Sequence, residues 1–100
     1  MLFRSNKMNL ASDYNMIGEL YLEMDNLPDA QGNLHKALEV SQDIGSRPEI
    51  AESAYNLGIL YKKMGRISKS KEFLRKAQEI YEQIDPVSYR EVKEEILGLN

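Results

Sequence analysis

Apolar side chains recur along this chain at spacings of three and four, the periodicity of a helix with one buried face. Between about Asn9 and Met24 the series is Leu10, Tyr14, Ile17, Leu20, Tyr21 and Met24, which predicts a first helix. Asp25-Asn26 breaks it, and Pro28 suits a first helical turn because its missing N–H is not needed there. A second helix is expected from about Leu27 or Pro28 to Ile44, burying Ala30, Leu34, Ala37, Leu38, Val40 and Ile44 and ending at Gly45 in a left-handed C-cap. Ser46-Arg47-Pro48-Glu49 has the spacing of a capping box and opens a third helix carrying Ile50, Ala54, Leu57, Leu60, Tyr61 and Met64, which stops at Gly65. A fourth runs from about Ile67 to Ile84 on Phe73, Leu74, Ala77, Ile80, Tyr81 and Ile84. Asp85-Pro86 reads as N-cap and first residue of a fifth helix, roughly Pro86 to Leu97, with Val87, Val92, Ile96 and Leu97 for docking and Gly98 as terminator.

The pattern repeats. Gly18-Glu-Leu-Tyr21 returns as Gly58-Ile-Leu-Tyr61 about 40 residues later, and the same offset pairs Ala11 with Ala51, Leu34 with Leu74 and Ala37 with Ala77. Such a period means stacked supersecondary units. The expected architecture is all-α: a solenoid of two antiparallel helical hairpins, about 9–45 and 47–84, and a C-terminal capping helix, about 86–98, in one domain over 1–100.

The first unit contains Tyr14-x2-Ile17-Gly18-x2-Tyr21, then Ala30-x3-Leu34-x2-Ala37. The second contains Ala54-x2-Leu57-Gly58-x2-Tyr61, then Ser70-x3-Leu74-x2-Ala77. On these residues the chain resembles the tetratricopeptide repeat family, in a variant longer than the common form of about 34 residues. Gly18, Tyr21, Ala30, Ala37, Gly58, Tyr61, Ser70 and Ala77 then serve packing: small residues let paired helices approach, and a tyrosine fills the space beside them. The resemblance implies that the first helix of each hairpin lines a concave face across which a peptide or partner helix lies. The family's binding positions fall here on Asn15, Glu19 and Leu22 and on Tyr55, Asn56, Ile59 and Lys62. Leu22, Tyr55 and Ile59 lie off the core stripes assigned above, and are read as apolar residues on an otherwise wet face. The Asn56 amide suits an extended ligand because it can both donate to and accept from a peptide backbone. A carboxylate clamp built from basic side chains, which some members of the family carry, is not expected, because Ser12 and Glu52 stand at the starts of these helices.

Composition narrows the alternatives. The 100 residues include no cysteine, so neither a disulfide framework nor a thiolate metal site is available, and a cytoplasmic location is expected. The apolar start Met1 to Phe3 is too short for a secretory segment, and no stretch approaches the roughly 18–20 apolar residues of a membrane span. The net charge of −3 argues against wholesale attraction to nucleic acid. It is unevenly spread: residues 1–50 hold four basic and eight acidic side chains, residues 51–100 nine and eight. Lys62, Lys63, Arg66, Lys69, Lys71, Arg75 and Lys76 form a basic run that is either a solvated helix face or an attachment surface for an acidic partner or a nucleic acid.

No enzyme is expected. His35 is read as a lone surface histidine, Glu94-Glu95 as adjacent helix positions that do not face one another, and Met8, Met16, Met24 and Met64 as core filler. No Gly-rich phosphate loop or metal-ligand spacing is present, so no cofactor or metal is called for. The leading reading is a non-catalytic module that binds another protein's peptide or helix in the concave groove. The alternative is self-assembly into homo-oligomers through exposed repeat faces, since two repeats are fewer than the three or so usually needed for a stable solenoid.

Overall fold

A computed structural model describes the backbone of residues 2–99 and the side chains of residues 7–99. The side chains of the Met1 to Phe3 start lie outside those described residues. Five helices follow one another: α1 (Leu2–Glu23), α2 (Leu27–Ile44), α3 (Arg47–Lys63), α4 (Ile67–Ile84) and α5 (Pro86–Leu97). α1 pairs with α2, α3 with α4, the two hairpins meet through α2 and α3, and α5 packs on α4. α1 also touches α3, so the first helices of the two hairpins lie side by side. No strand occurs among the described residues.

The helix ends follow local chemistry, with two departures from expectation. Gly45 adopts φ 68°, and its N–H reaches back to the carbonyls of Gln42 and Ser41, as a left-handed cap requires. Asp85 accepts from the amides of Val87 and Ser88 at 3.2 and 3.3 Å and caps α5. The capping box at Ser46 does not form, however: Ser46 occupies the N-cap position but makes no side-chain cap bond. Glu49, which would return to it, instead accepts from Asn15 of α1. Gly98 ends α5 with φ −77°, in the right-handed region, so glycine is not needed for its conformation. α1 begins earlier than the apolar periodicity indicated, at Leu2 rather than near Asn9.

The close approach inside each hairpin is visible at its glycine. A Cβ built on Gly18 would lie 2.5 Å from Cδ2 of Leu34, and one on Gly58 would lie 2.5 Å from Cδ2 of Leu74. Both distances are far inside van der Waals contact, so only glycine lets these leucines seat. Ala30, Ala37, Ser70 and Ala77 are fully buried on the opposing helices.

The core departs from the predicted stripe on α1. Leu10, Ile17, Leu20 and Met24 are exposed, and Ala11, Asn15, Gly18 and Leu22 are buried in their place. The cause is position in the stack. In the second hairpin Leu57 and Leu60, the counterparts of Ile17 and Leu20, are 0% exposed because they pack with Leu22, Ala30, Leu34 and Leu38 of the first hairpin. Ile17 and Leu20 are 40% and 53% exposed because no described residue occupies the equivalent place beside α1. Met8, Met16, Met24 and Met64 are likewise exposed, not core filler, and Ile84 is exposed on α4. On α5, Val87 and Leu97 face solvent, whereas Val92, together with Leu99 just past the helix end, docks against Ala54, Leu74 and Ala77 with Ile96 packed alongside.

Candidate functional site

Three adjacent hollows lie along α3 and share Tyr55 in their linings, with α1 on one side and α5 on the other; together they are called the trough. The hollow toward α1, about 230 Å³, is lined by Glu19, Leu22, Glu23, Tyr55, Asn56, Ile59 and Lys63. The central hollow, about 310 Å³, adds Glu52, Tyr81, Ser88, Glu91 and Val92 to Glu19, Tyr55 and Asn56. The third, also about 310 Å³, lies between Tyr55, Lys62, Glu91, Glu94, Glu95 and Gly98.

Six of the seven residues expected there line the trough, two of them, Leu22 and Asn56, as buried groups, and Asn15 does not. Glu19 is exposed, Tyr55 and Ile59 are half-buried, and Lys62 donates to Glu95 Oε1 across 3.0 Å. Asn15 does not face the trough. It is 1% exposed, with Nδ2 donating to Glu49 Oε1 at 3.1 Å and Oδ1 accepting from the Ser53 hydroxyl at 3.0 Å. This is a polar staple joining α1 to α3, with both ends of the amide engaged within the fold. Leu22 is a core residue, 5% exposed and packed with Leu34, Leu57 and Leu60, and it reaches the trough only as its floor. The expected wet position of Leu22 is thus overturned: the buried stripe of α1 runs through Ala11, Asn15, Gly18 and Leu22.

Asn56 behaves differently from Asn15. It is 4% exposed, yet its Nδ2 has no hydrogen-bond partner among the described residues. An unpaired buried donor is costly, by about 1–3 kcal/mol, and this one belongs to a side chain lining two of the three hollows. A half-turn of the amide exchanges its ends, so the group can present a donor or an acceptor to whatever fills the trough.

The walls are acidic. Burial pushes the Glu52 carboxyl above its ordinary value, and the neighbouring Glu49 and Glu19 push it further. Tyr55 is raised by burial and then by Glu95, Glu91 and Glu19. Tyr81 is pushed up to about 12, by burial first and then by Glu52, Asp85, Tyr55 and Glu49. Every one of these shifts disfavours negative charge, so they report a common negative potential in a partly desolvated space. From sequence, Glu52 and Tyr81 have no place in the groove and Glu91 is not named, because α5 is treated only as a cover for the stack. The spacing Glu91-x3-Glu95, which puts two carboxylates on one side of α5, was the available signal.

Four members of the basic run have partners within the fold. Lys62 pairs with Glu95, Lys63 lies 3.6 Å from Asp25, and Arg66 and Lys69 sit over the Tyr61 ring at 5.5 Å. His35 is more than a lone surface histidine: its Nε2 is 2.9 Å from the Tyr61 hydroxyl, and its ring meets Phe73 edge-on. Among the described residues no group of three or more His, Cys, Asp or Glu is placed to hold a metal ion. Among the described residues no helix is long and apolar enough to cross a membrane.

Protein HGV2 of Halocynthia roretzi is 31% identical over 81 residues, which are 79% of this chain but 16% of that protein. The chain therefore spans about 16% of the length of this curated relative. No solved structure gives a significant match. The sequence profile of the tetratricopeptide repeat, a motif that mediates contacts between proteins, matches residues 9–83. With the profile covering most of the chain and its glycine, alanine and tyrosine positions forming two packed hairpins, the chain belongs to the tetratricopeptide repeat family.

Proposed function

We propose that this chain is a non-catalytic scaffold or adaptor module that holds a peptide or helix of a partner protein in the trough across α1, α3 and α5. The observation that carries the reading is Asn56, a nearly buried amide with an unused donor between two hollows. Beside it, half-buried Tyr55 and Ile59 offer apolar surface, and Glu19 and Lys62 supply charge at the edges. An extended segment laid over them would gain main-chain hydrogen bonding at Asn56 and exclude water from the two apolar side chains. The chain has no cysteine, and a cytoplasmic location fits that composition.

The test is affinity capture from native lysate with the wild type and with a Tyr55→Ala, Ile59→Ala variant. A partner retained by the wild type and lost by the variant supports the trough as the site. Equal recovery of every partner rules it out.

One observation favours a second reading, self-assembly. Ile17 and Leu20 are exposed where their counterparts Leu57 and Leu60 are wholly covered by a preceding hairpin. A further helical repeat, supplied by a second copy, would cover α1 in the same manner. Light scattering over a range of concentrations tests it: a monomer throughout removes this reading, and growth that Leu20→Glu abolishes supports it.

A further inference from the structure

Resting on the trough as the binding site, the charge and shape of its central hollow identify the chemistry of the segment it takes. We propose that the hollow formed by Glu19, Glu52, Tyr55, Asn56, Tyr81 and Glu91 receives a lysine or arginine side chain of the bound protein segment, while the Asn56 amide hydrogen-bonds that segment's main chain.

Three carboxylates, from α1, α3 and α5, converge on this space, and no basic residue lines it. Electrostatic complementarity therefore selects a cation and rejects an acidic segment. The hollow of about 310 Å³ is roomy enough for one long side chain. Two tyrosines contribute to its wall, and aromatic faces add attraction for a lysine or an arginine beyond that of the carboxylates.

The acidic cluster does not stand alone, because Asn56 is nine-tenths buried and its donor has no partner within the fold. Asn56 lines the hollow, and a half-turn of its amide would bring the nitrogen to a peptide carbonyl laid there. The neighbouring Glu91–Glu95 wall already shows the intended contact in miniature, since Lys62 of α3 lays its ammonium 3.0 Å from Glu95 Oε1. Toward α1 the trough changes character at Leu22 and Ile59, so the segment that fits carries an apolar residue near its basic one.

Mutual repulsion among Glu19, Glu49 and Glu52 supplies a further consequence. Burial and these neighbours hold the Glu52 carboxyl above its ordinary value, so acidification protonates it early and removes charge from the wall. Affinity for a cationic segment is therefore present near neutral pH and declines as pH falls into the carboxylate range.

The experiment selects random twelve-residue peptides displayed on phage against the intact wild-type chain. Each selected peptide is then titrated into wild type and into Glu52→Gln and Glu91→Gln chains, with the Asn56 side-chain amide followed by NMR. Both substitutions preserve size at positions that are not fully buried, and circular dichroism confirms that each variant retains its helices. The expected result is enrichment of Lys and Arg, a shift of the Asn56 amide, and a loss of about tenfold or more in affinity in either variant. Selected peptides that are neutral or acidic but still shift Asn56 overturn the cationic assignment and leave the trough standing as the site. Basic peptides whose affinity ignores both substitutions also overturn it. Peptides that bind without disturbing Asn56 overturn the trough reading itself.

Discussion

The hydroxyl of Ser70 donates to the main-chain carbonyl of Gly58 across 2.7 Å, inside the close contact between α3 and α4. The first hairpin has Ala30 at the position of Ser70, so the two repeats share a backbone approach and differ by one hydrogen bond. Replacing Ser70 by Ala removes a bond worth about 1 kcal/mol, against which alanine's better helix propensity returns about 0.4 kcal/mol. The expected net loss is about 0.5 kcal/mol, read as a lower urea midpoint at unchanged slope. A midpoint equal to wild type would show that the bond contributes nothing beyond propensity.

Adding a methyl at Gly58 has a larger effect. The new Cβ would stand 2.5 Å from Cδ2 of Leu74, so either the leucine leaves its rotamer or the helices separate. Gly58→Ala should lose about 1–3 kcal/mol despite the better helix propensity of alanine. Pairing it with Leu74→Ala gives a sharper check, because the clash disappears when the leucine does. The double variant should then be more stable than the sum of the single changes by about 0.5–3 kcal/mol. Strict additivity would place the clash somewhere other than Leu74.

The same glycines mark how far the fold was legible in the sequence. Helix order and most boundaries were readable because they rest on local chemistry: the left-handed Gly45, the Asp85-Pro86 start of α5, and the duplicated Gly-x2-Tyr. Burial on α1 was not, since periodicity fixes which residues share a face but not whether another element covers it. Leu57 and Leu60 are covered by the preceding hairpin, and the identically patterned Ile17 and Leu20 are exposed. The trough was half legible. Tyr55, Asn56 and Ile59 came from the repeat pattern, but Glu52, Tyr81 and Glu91 meet only because α5 folds back beside α3, which no spacing within one helix encodes. Asn15 was misplaced for a related reason: its partners Glu49 and Ser53 lie on α3, so its role exists only once the hairpins stack.

Acid should weaken the fold in two separate windows. Partial burial against Tyr61 and Phe73, and then the charge of Lys69, hold His35 below its ordinary value of 6.5. The unfolded chain therefore binds this proton more readily, and stability declines as pH falls below about 6.5 until the folded-state value is passed. Asp85 shifts the same way for a different reason, the hydrogen bonds from the Ser88 hydroxyl and amide and then the Val87 amide favouring its charged form. Its contribution is present above the ordinary value of 3.8 and is lost as pH falls through the lower folded-state value. Urea midpoints measured from neutral to acidic pH should show the first decline flattened by His35→Gln and the second by Asp85→Asn. A first decline unaltered by His35→Gln would assign it to another group.

Asn15 and Asn56 make the most direct comparison, since both are buried amides and only one is used by the fold. Asn15→Leu strips Glu49 and Ser53 of a shared partner and should destabilise by about 1–3 kcal/mol. Asn56→Leu instead removes a donor that has no partner and puts an apolar group in its place, so it should stabilise by up to about 1–3 kcal/mol. Opposite shifts in thermal midpoint from the same chemical change would show that Asn56 is held at a cost in stability, the expected signature of a residue retained for binding. The stabilised variant should at the same time lose the segment bound in the trough. A lower midpoint for Asn56→Leu would mean that the amide is already satisfied in solution, and the case for Asn56 as the recognition donor would fall with it.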